Sequence, residues 1–234
     1  MADLVAHTAV LCDPFYELKD PPGKVSGRFP NIIPGQLVLA DLVYPNVPPW
    51  IAEVTGIESA TVSYKIRKLD PANPALTHFP IKDMKLRTDE NLYLLKGKVR
   101  PGVVLQTVET DFYNTQNPEP YASVIPSYTF KEKHTQEYRV RVAAFESPNL
   151  FYFPSAHEGI KAESVVRFEH VQPVPLAGIR PIFIDGKKSF LSDVAWTILL
   201  HRYLLFLTGK VLDQDLQGQI DAYRTLLLEA YGLS

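Results

Sequence analysis

The sequence predicts a mainly β protein with C-terminal helices, an α+β class, on two observations. Twenty prolines punctuate the 234 residues, and they fall between short apolar runs, at Pro21 and Pro22, Pro45, Pro48 and Pro49, Pro71 and Pro74, Pro118 and Pro120, and Pro173 and Pro175. Proline removes a backbone donor and is poorly tolerated in helices and central strands, so this spacing favours many short strands joined by turns. From Ser189 the pattern changes to apolar residues three and four positions apart, the period of helices packed on one side.

Residues 1–30, rich in Pro and Gly, read as an N-terminal arm. Runs of β-branched and aromatic residues then predict strands at Gln36–Val43, Trp50–Thr55, Ala60–Lys65, Val103–Val108, Tyr121–Ser127, Tyr138–Ala143, Leu150–Phe153 and Val165–Val171. In the last stretch, Phe190, Val194, Ile198, His201 and Leu205 share one helical stripe, with Ser189 or Ser192 as N-cap and Gly209 as the stop. A second helix is expected from Asp213 or Asp215 to Tyr231, with Leu216, Ile220, Tyr223, Leu227 and Ala230 on its stripe. Both need a cover, either the β part or a second copy of the chain. We expect residues 1–234 to form a single elaborated domain in which the helical pair at 187–234 packs with the strands.

A hydrophobic content of 46% is ordinary for a chain that buries a sizeable core. The formal charge of -2 argues against bulk attraction to nucleic acid, so any contact with RNA must use a local basic patch. The only cysteine, Cys12, excludes a disulfide framework within the chain and a multi-cysteine zinc site. That usage fits a reducing cytoplasm. The first twenty residues lack a basic region ahead of their short apolar stretch and do not read as a signal peptide. Phe190–Leu207 is apolar enough to suggest a membrane span, but Asp193, His201 and Arg202 interrupt it, and a buried core helix is the better reading. No membrane partner is expected.

Chemistry concentrates around KGKVRPGVVLQ, Lys96 to Gln106, where three cations, the last of them the Arg of Arg-Pro-Gly, lead into an apolar strand. Arg100 at the lip of that strand could bind a phosphate bidentately and stabilise charge building on it, although a surface arginine flanking a strand reads the same way. Lys96 and Lys98 would add to the field of such a site. Proton acceptors within reach of the surrounding strand ends are Asp89, Glu90, His134, His157 and His170, each imidazole being able to exchange a proton near neutrality. Tyr113, Tyr121, Tyr128, Phe151, Tyr152 and Phe153 cluster around the same strands; they could stack unpaired bases, and packing is the commoner use of aromatics in strands. No metal-ligand spacing, phosphate-cradling glycine loop, nucleophile elbow or dinucleotide fingerprint is present, and no metal or cofactor is expected.

Four segments in order, PGQLVLADL (Pro34–Leu42), KGKVRPGVVLQ, ASVIPSYTF (Ala122–Phe130) and GIKAESVVRFEHVQPV (Gly159–Val174), resemble the PemK/MazF-like family of bacterial growth-inhibitor toxins. Gly35 and Gln36 stand in the opening position, Arg100 and Pro101 in the second, Ile125, Pro126 and Ser127 in the third, and Gly159, Ile160 and Ser164 in the fourth. The resemblance implies an SH3-like, strongly bent β-barrel, here with a hairpin insertion at residues 43–91. It implies a toxin-like endoribonuclease that cleaves single-stranded RNA without a metal, is held in check by a cognate antitoxin, and pairs as a homodimer. Arg100 matches the family's arginine. A family hydroxyl falls just past the third strand, where Ser127, Tyr128 and Thr129 stand; Ser127 and Thr129 are the candidate catalytic hydroxyls, with Lys96, Lys98 and Tyr128 binding substrate. The rival reading is a non-catalytic RNA-binding or protein-interaction module on the same barrel, since a fold does not carry its activity with it.

Overall fold

The computed structural model describes residues 12–20, 31–44, 47, 50–58, 61–68, 92–108, 120–155 and 160–233. In chain order these form β1 (Tyr16–Lys19), β2 (Leu37–Val43), β3 (Trp50–Glu58), β4 (Thr61–Lys68), β5 (Leu92–Leu94), β6 (Gly97–Val108) and β7 (Tyr121–Thr129). After helix α1 (Gln136–Ala143) come β8 (Leu150–Phe153), β9 (Ser164–Arg167), β10 (Gln172–Pro175), β11 (Ile179–Pro181), β12 (Phe183–Ile184) and β13 (Lys187–Leu191), then α2 (Asp193–Thr208) and α3 (Gln214–Ala230). The chain is therefore mainly β with helices concentrated at its C-terminal end. It divides into two compact units, Met1–Leu42 with Val99–Ser234, and Val43–Lys98.

The smaller unit is a three-stranded antiparallel sheet in the order β4-β3-β5. Its spine is the hairpin pairing Trp50↔Lys68 through Glu58↔Thr61, with a register shift between Val54 and Gly56. The buried Ile51 and Ala52 lie on that spine, and Tyr44 N–H donates to Lys96 O at 2.8 Å where the unit's two ends meet.

In the larger unit the main sheet follows the order β11-β2-β6-β7-β9-β8, with β10 also paired to β7. This path is open, and no closed barrel forms among the described strands. A second sheet, β1-β13-β12, lies beside it and is bridged at Gln36↔Phe190. Strand β7 organises the region around the candidate site: β6 pairs it from Gly102↔Pro126 to Val108↔Tyr121, β9 along Ser127–Thr129, and β10 along Tyr121–Val124. Between β9 and β10 the chain makes a single 3₁₀ turn at Phe168–His170. The strand expected over Val165–Val171 is thus the short strand β9 followed by a corner, and β10 begins only at Gln172.

The predicted strand Tyr138–Ala143 is a helix instead. Thr135 caps it, its hydroxyl accepting from Tyr138 N–H at 3.2 Å, and Arg141 pairs with Glu137 one turn earlier at 2.9 Å. The alternation of Val and Arg that suggested a strand is overridden by this cap and by the helix's surroundings. Phe145 follows with φ of 57°, a left-handed residue that ends the helix. The carbonyls beyond the end are met from the other helices: Arg202 of α2 donates to Phe145 O and Ser147 O at 2.9 and 3.3 Å, and Arg224 of α3 to Ala144 O at 3.2 Å. Burial beside Arg224 pushes the Arg202 guanidinium down to about 10, so it stays charged at neutral pH.

The C-terminal helices pack on strands of their own unit. The Ser192 hydroxyl caps α2 and Gly209 closes it with φ of 67°, while Asp213 caps α3. The buried residues of α2 are Ala195, Ile198, Leu199, His201 and Arg202; of the expected stripe Ile198 and His201 are buried, Leu205 is half-buried and Val194 is 55% exposed. On α3, Ile220, Tyr223 and Leu227 are buried as expected, and Ala230 is exposed. Together these side chains close over Phe151, Tyr152, Phe153 and Phe168 in an aromatic core. A second, aliphatic core gathers Val38, Ala40, Leu42, Val104, Ala122, Val124, Val174 and Ile179. Among the described residues, no helix is long and apolar enough to cross a membrane.

Candidate functional site

The Arg100-Pro101-Gly102 run sits inside β6, which begins at Gly97, so Arg100 lies within the strand and not at its lip. Gly102 is demanded by the packing of β6 on β7: a Cβ there would stand 2.7 Å from both Ile125 O and Val124 Cγ1. Continuing the register from Gly102↔Pro126 sets Arg100 opposite Tyr128, and their side chains meet. The Arg100 guanidinium lies 4.8 Å from the centre of the Tyr128 ring, a geometry in which the ring's negative face attracts the cation.

Tyr128 Oη is 2.7 Å from Nδ1 of His170, with the two rings edge to face at 5.4 Å. The 3₁₀ turn between β9 and β10 delivers His170 to this point, and the residue is only 7% exposed, whereas Tyr128 is half-buried. Burial lowers the imidazole's pKa below its ordinary value; the Arg167 and Arg100 charges act the same way, and Glu169 opposes them. Glu169 is itself engaged by Arg167, Nε at 2.8 Å and Nη2 at 2.6 Å from Oε1, and by Asn149 Nδ2 at 3.1 Å. Cation, phenol and neutral imidazole are therefore held in a row, with a set of types suited to binding an anion and moving a proton beside it.

Of the expected catalytic hydroxyls, the structure brings neither to this row. Side chains alternate along β7, so Ser127 and Thr129 turn away from Tyr128's face. Ser127 is 4% exposed and donates to the Ser164 hydroxyl, itself fully buried, at 2.9 Å. That is an internally satisfied core pair. Thr129 is exposed at the strand end, opposite Ser164 in register. Lys96 and Lys98 are exposed in the smaller unit, with Lys96 Nζ 5.8 Å from the Tyr44 ring. Tyr128, read from sequence as a binding residue, is the side chain whose ring meets Arg100 and whose hydroxyl meets His170.

Among the histidines, His134 lies in the loop after β7, where its Nδ1 accepts from Lys131 N–H at 3.0 Å. Asp89, Glu90, Tyr113 and His157 lie outside the described residues. Phe151, Tyr152 and Phe153 are core side chains, not base-stacking surfaces. Tyr152 Oη donates to Glu163 at 2.6 Å, and Arg139 pairs with the same carboxylate at 3.3 Å. Burial pushes the Cys12 thiol up to about 11, which leaves it protonated and unreactive near neutrality. Among the described residues no group of three or more His, Cys, Asp or Glu could hold a metal ion. Sequence reasoning named His170 as one of several candidate bases; its selection depends on a contact between residues 42 apart, for which no local signal exists.

No family model matches the chain. No curated protein matches it either.

Proposed function

We propose that the chain is a PemK/MazF-like endoribonuclease that cleaves single-stranded RNA without a metal, with a cognate antitoxin and a second copy of the chain as partners. The observation that carries this reading is the Arg100 guanidinium held over Tyr128, whose hydroxyl reaches His170. Cleavage by the neighbouring 2′-hydroxyl needs a fixed cation for the charge that builds on the phosphate and a proton acceptor for the attacking oxygen. Both are present in one row. The antiparallel frame around β7, with β9 and β10 paired to successive parts of it, supports an SH3-like bent barrel of that family as the parent architecture.

A specific observation favours the rival reading. Tyr128 stands where the family's Ser or Thr hydroxyl most often sits, and Ser127 beside it is buried against Ser164. A module that binds RNA or a peptide through Arg100 alone would tolerate that loss. The two readings part on one experiment: cleavage of single-stranded RNA in the presence of chelator by purified, antitoxin-free protein. Arg100→Ala should lower the rate by about a hundredfold or more with the fold intact, since a preorganised charge stabiliser is worth on the order of 3 kcal/mol. Arg100→Lys should restore only part of it, because a point charge lacks the planar fork. Equal rates in wild type and Arg100→Ala would overturn the site, and tight binding with no cleavage by wild type would establish the module.

A further inference from the structure

We propose that Tyr128 takes the proton from the attacking 2′-hydroxyl while passing its own to His170, so that the two side chains act as a proton relay beside Arg100. The inference rests on the ribonuclease reading and assigns its proton acceptor, a role for which the sequence offered five candidates.

Access decides the order of the relay. His170 is 7% exposed, whereas Tyr128 is half-buried. The less buried phenol is therefore assigned as the group that meets the substrate hydroxyl, with the more buried imidazole second in the relay. The direction of the 2.7 Å contact follows from acidity: a phenol is a far stronger proton donor than a neutral imidazole N–H, so Tyr128 Oη donates and Nδ1 accepts, with the ring proton on Nε2. Arg100, 4.8 Å above the phenol ring, favours the negative charge that grows on it as its proton leaves.

The charged and titratable groups facing His170 are Arg100 of β6, Tyr128 of β7, Arg167 of β9 and Glu169 of its own turn. Burial and the two arginines keep the imidazole neutral at physiological pH, the form that accepts a proton. In the reaction the 2′-oxygen's proton moves to Tyr128 Oη as the phenolic proton moves to His170 Nδ1. The 2′-oxygen bonds to phosphorus, and the bond from phosphorus to the 5′-oxygen breaks with its electron pair on that oxygen, which takes a proton from solvent. His170 then returns its extra proton to solvent by way of Tyr128. The products are a 2′,3′-cyclic phosphate and a 5′-hydroxyl, with no oxidant, reductant or metal required.

The test uses the full chain, an end-labelled single-stranded RNA of mixed sequence, and chelator throughout. Tyr128→Phe should cut single-turnover cleavage by about a hundredfold while RNA affinity stays within about twofold. In wild type the rate should rise with pH through an apparent pKa below that of an ordinary histidine and then level, and in His170→Gln that rising limb should disappear. Tyr128→Phe cleaving within about threefold of wild type, or His170→Gln keeping the limb, overturns the relay and leaves the ribonuclease reading standing. Wild type failing to cleave at all overturns both. Ring-nitrogen chemical shifts of the wild type read the arrangement independently of either variant's folding: Nδ1 unprotonated and Nε2 protonated at neutral pH agree with the relay, and a protonated Nδ1 overturns it.

Discussion

Ser127 and Tyr128 share a peptide bond in β7, and each spends its hydroxyl on a partner contributed by the segment that follows β8, yet the two pairs are built from different materials. Ser127 and Ser164 form a neutral pair under the aromatic core, where both groups satisfy each other and nothing titrates. Tyr128 and His170 form a half-buried pair flanked by Arg100 and Arg167, with a titratable ring and a permanent charge in contact. The lesson is about what alternation does in a strand that is covered on one side and only partly closed on the other. One residue step converts a hydroxyl from a packing element into a group with access to solvent and to charge.

The largest test of this contrast removes the cover. A chain ending at Gly186 loses β13, α2 and α3, and with them the side chains of Leu191, Ala195, Ile198, Leu199, Ile220, Tyr223 and Leu227 that close over the aromatic core. It should be insoluble or show no cooperative melt, and a melt at the temperature of the full chain would refute the packing described. Smaller but still severe, Phe153→Ala deletes a fully buried ring from the same core, in edge contact with Phe15, Tyr16 and Phe151. A loss of about 3 to 5 kcal/mol is expected by denaturant titration. A loss under about 1 kcal/mol would mean that the site collapses without cost and that this side is not the rigid one.

How far the sequence reaches can be seen by the same division. The C-terminal helices were legible because period, cap and stop agree: Ser192, Gly209 and Asp213 all act as their types predict. Leu150–Phe153 was legible as an apolar run of strand length. Tyr138–Ala143 misled because Val140 and Val142 alternate with arginines, a strand pattern, while the decisive cap at Thr135 lies outside the run. The corner at Phe168–His170 was hidden within a continuous β-like stretch. At the site, Arg100 stood out through its motif, while Ser127, Tyr128 and Thr129 were assigned to one site although successive residues of a strand face apart. Which of them would be buried depends on what packs above β7, and the pairing of Tyr128 with His170 depends on that corner. Neither is a local property.

A finer test compares the hydroxyls directly. Ser127→Ala leaves the fully buried Ser164 hydroxyl without its donor, and a cost of about 1 to 3 kcal/mol is expected in denaturant titration. Adding Ser164→Ala should recover part of the loss, since two apolar groups need no partner. If both single variants were neutral, the pair would not be the satisfied core contact described, and Ser127 would return as a candidate for the site.

The smallest effect is also the most selective, because it touches only the titratable side. The folded protein holds the His170 imidazole below its ordinary value, through burial first and then the Arg167 and Arg100 charges, so the folded state binds this proton less tightly than the unfolded chain does. The contribution of neutral His170 is fully present above the unfolded value of about 6.5 and is lost progressively as pH falls through the interval between that value and the lower folded one. Wild type should therefore lose stability between about pH 8 and about pH 5 more steeply than His170→Gln, whose residue 170 cannot take up a proton. Denaturation midpoints at the two ends of that range read the difference. Ser127→Ala should keep the wild-type slope, since no ionisable group belongs to its pair, and a His170→Gln profile parallel to wild type would place the titrating group elsewhere and detach His170 from the charged row.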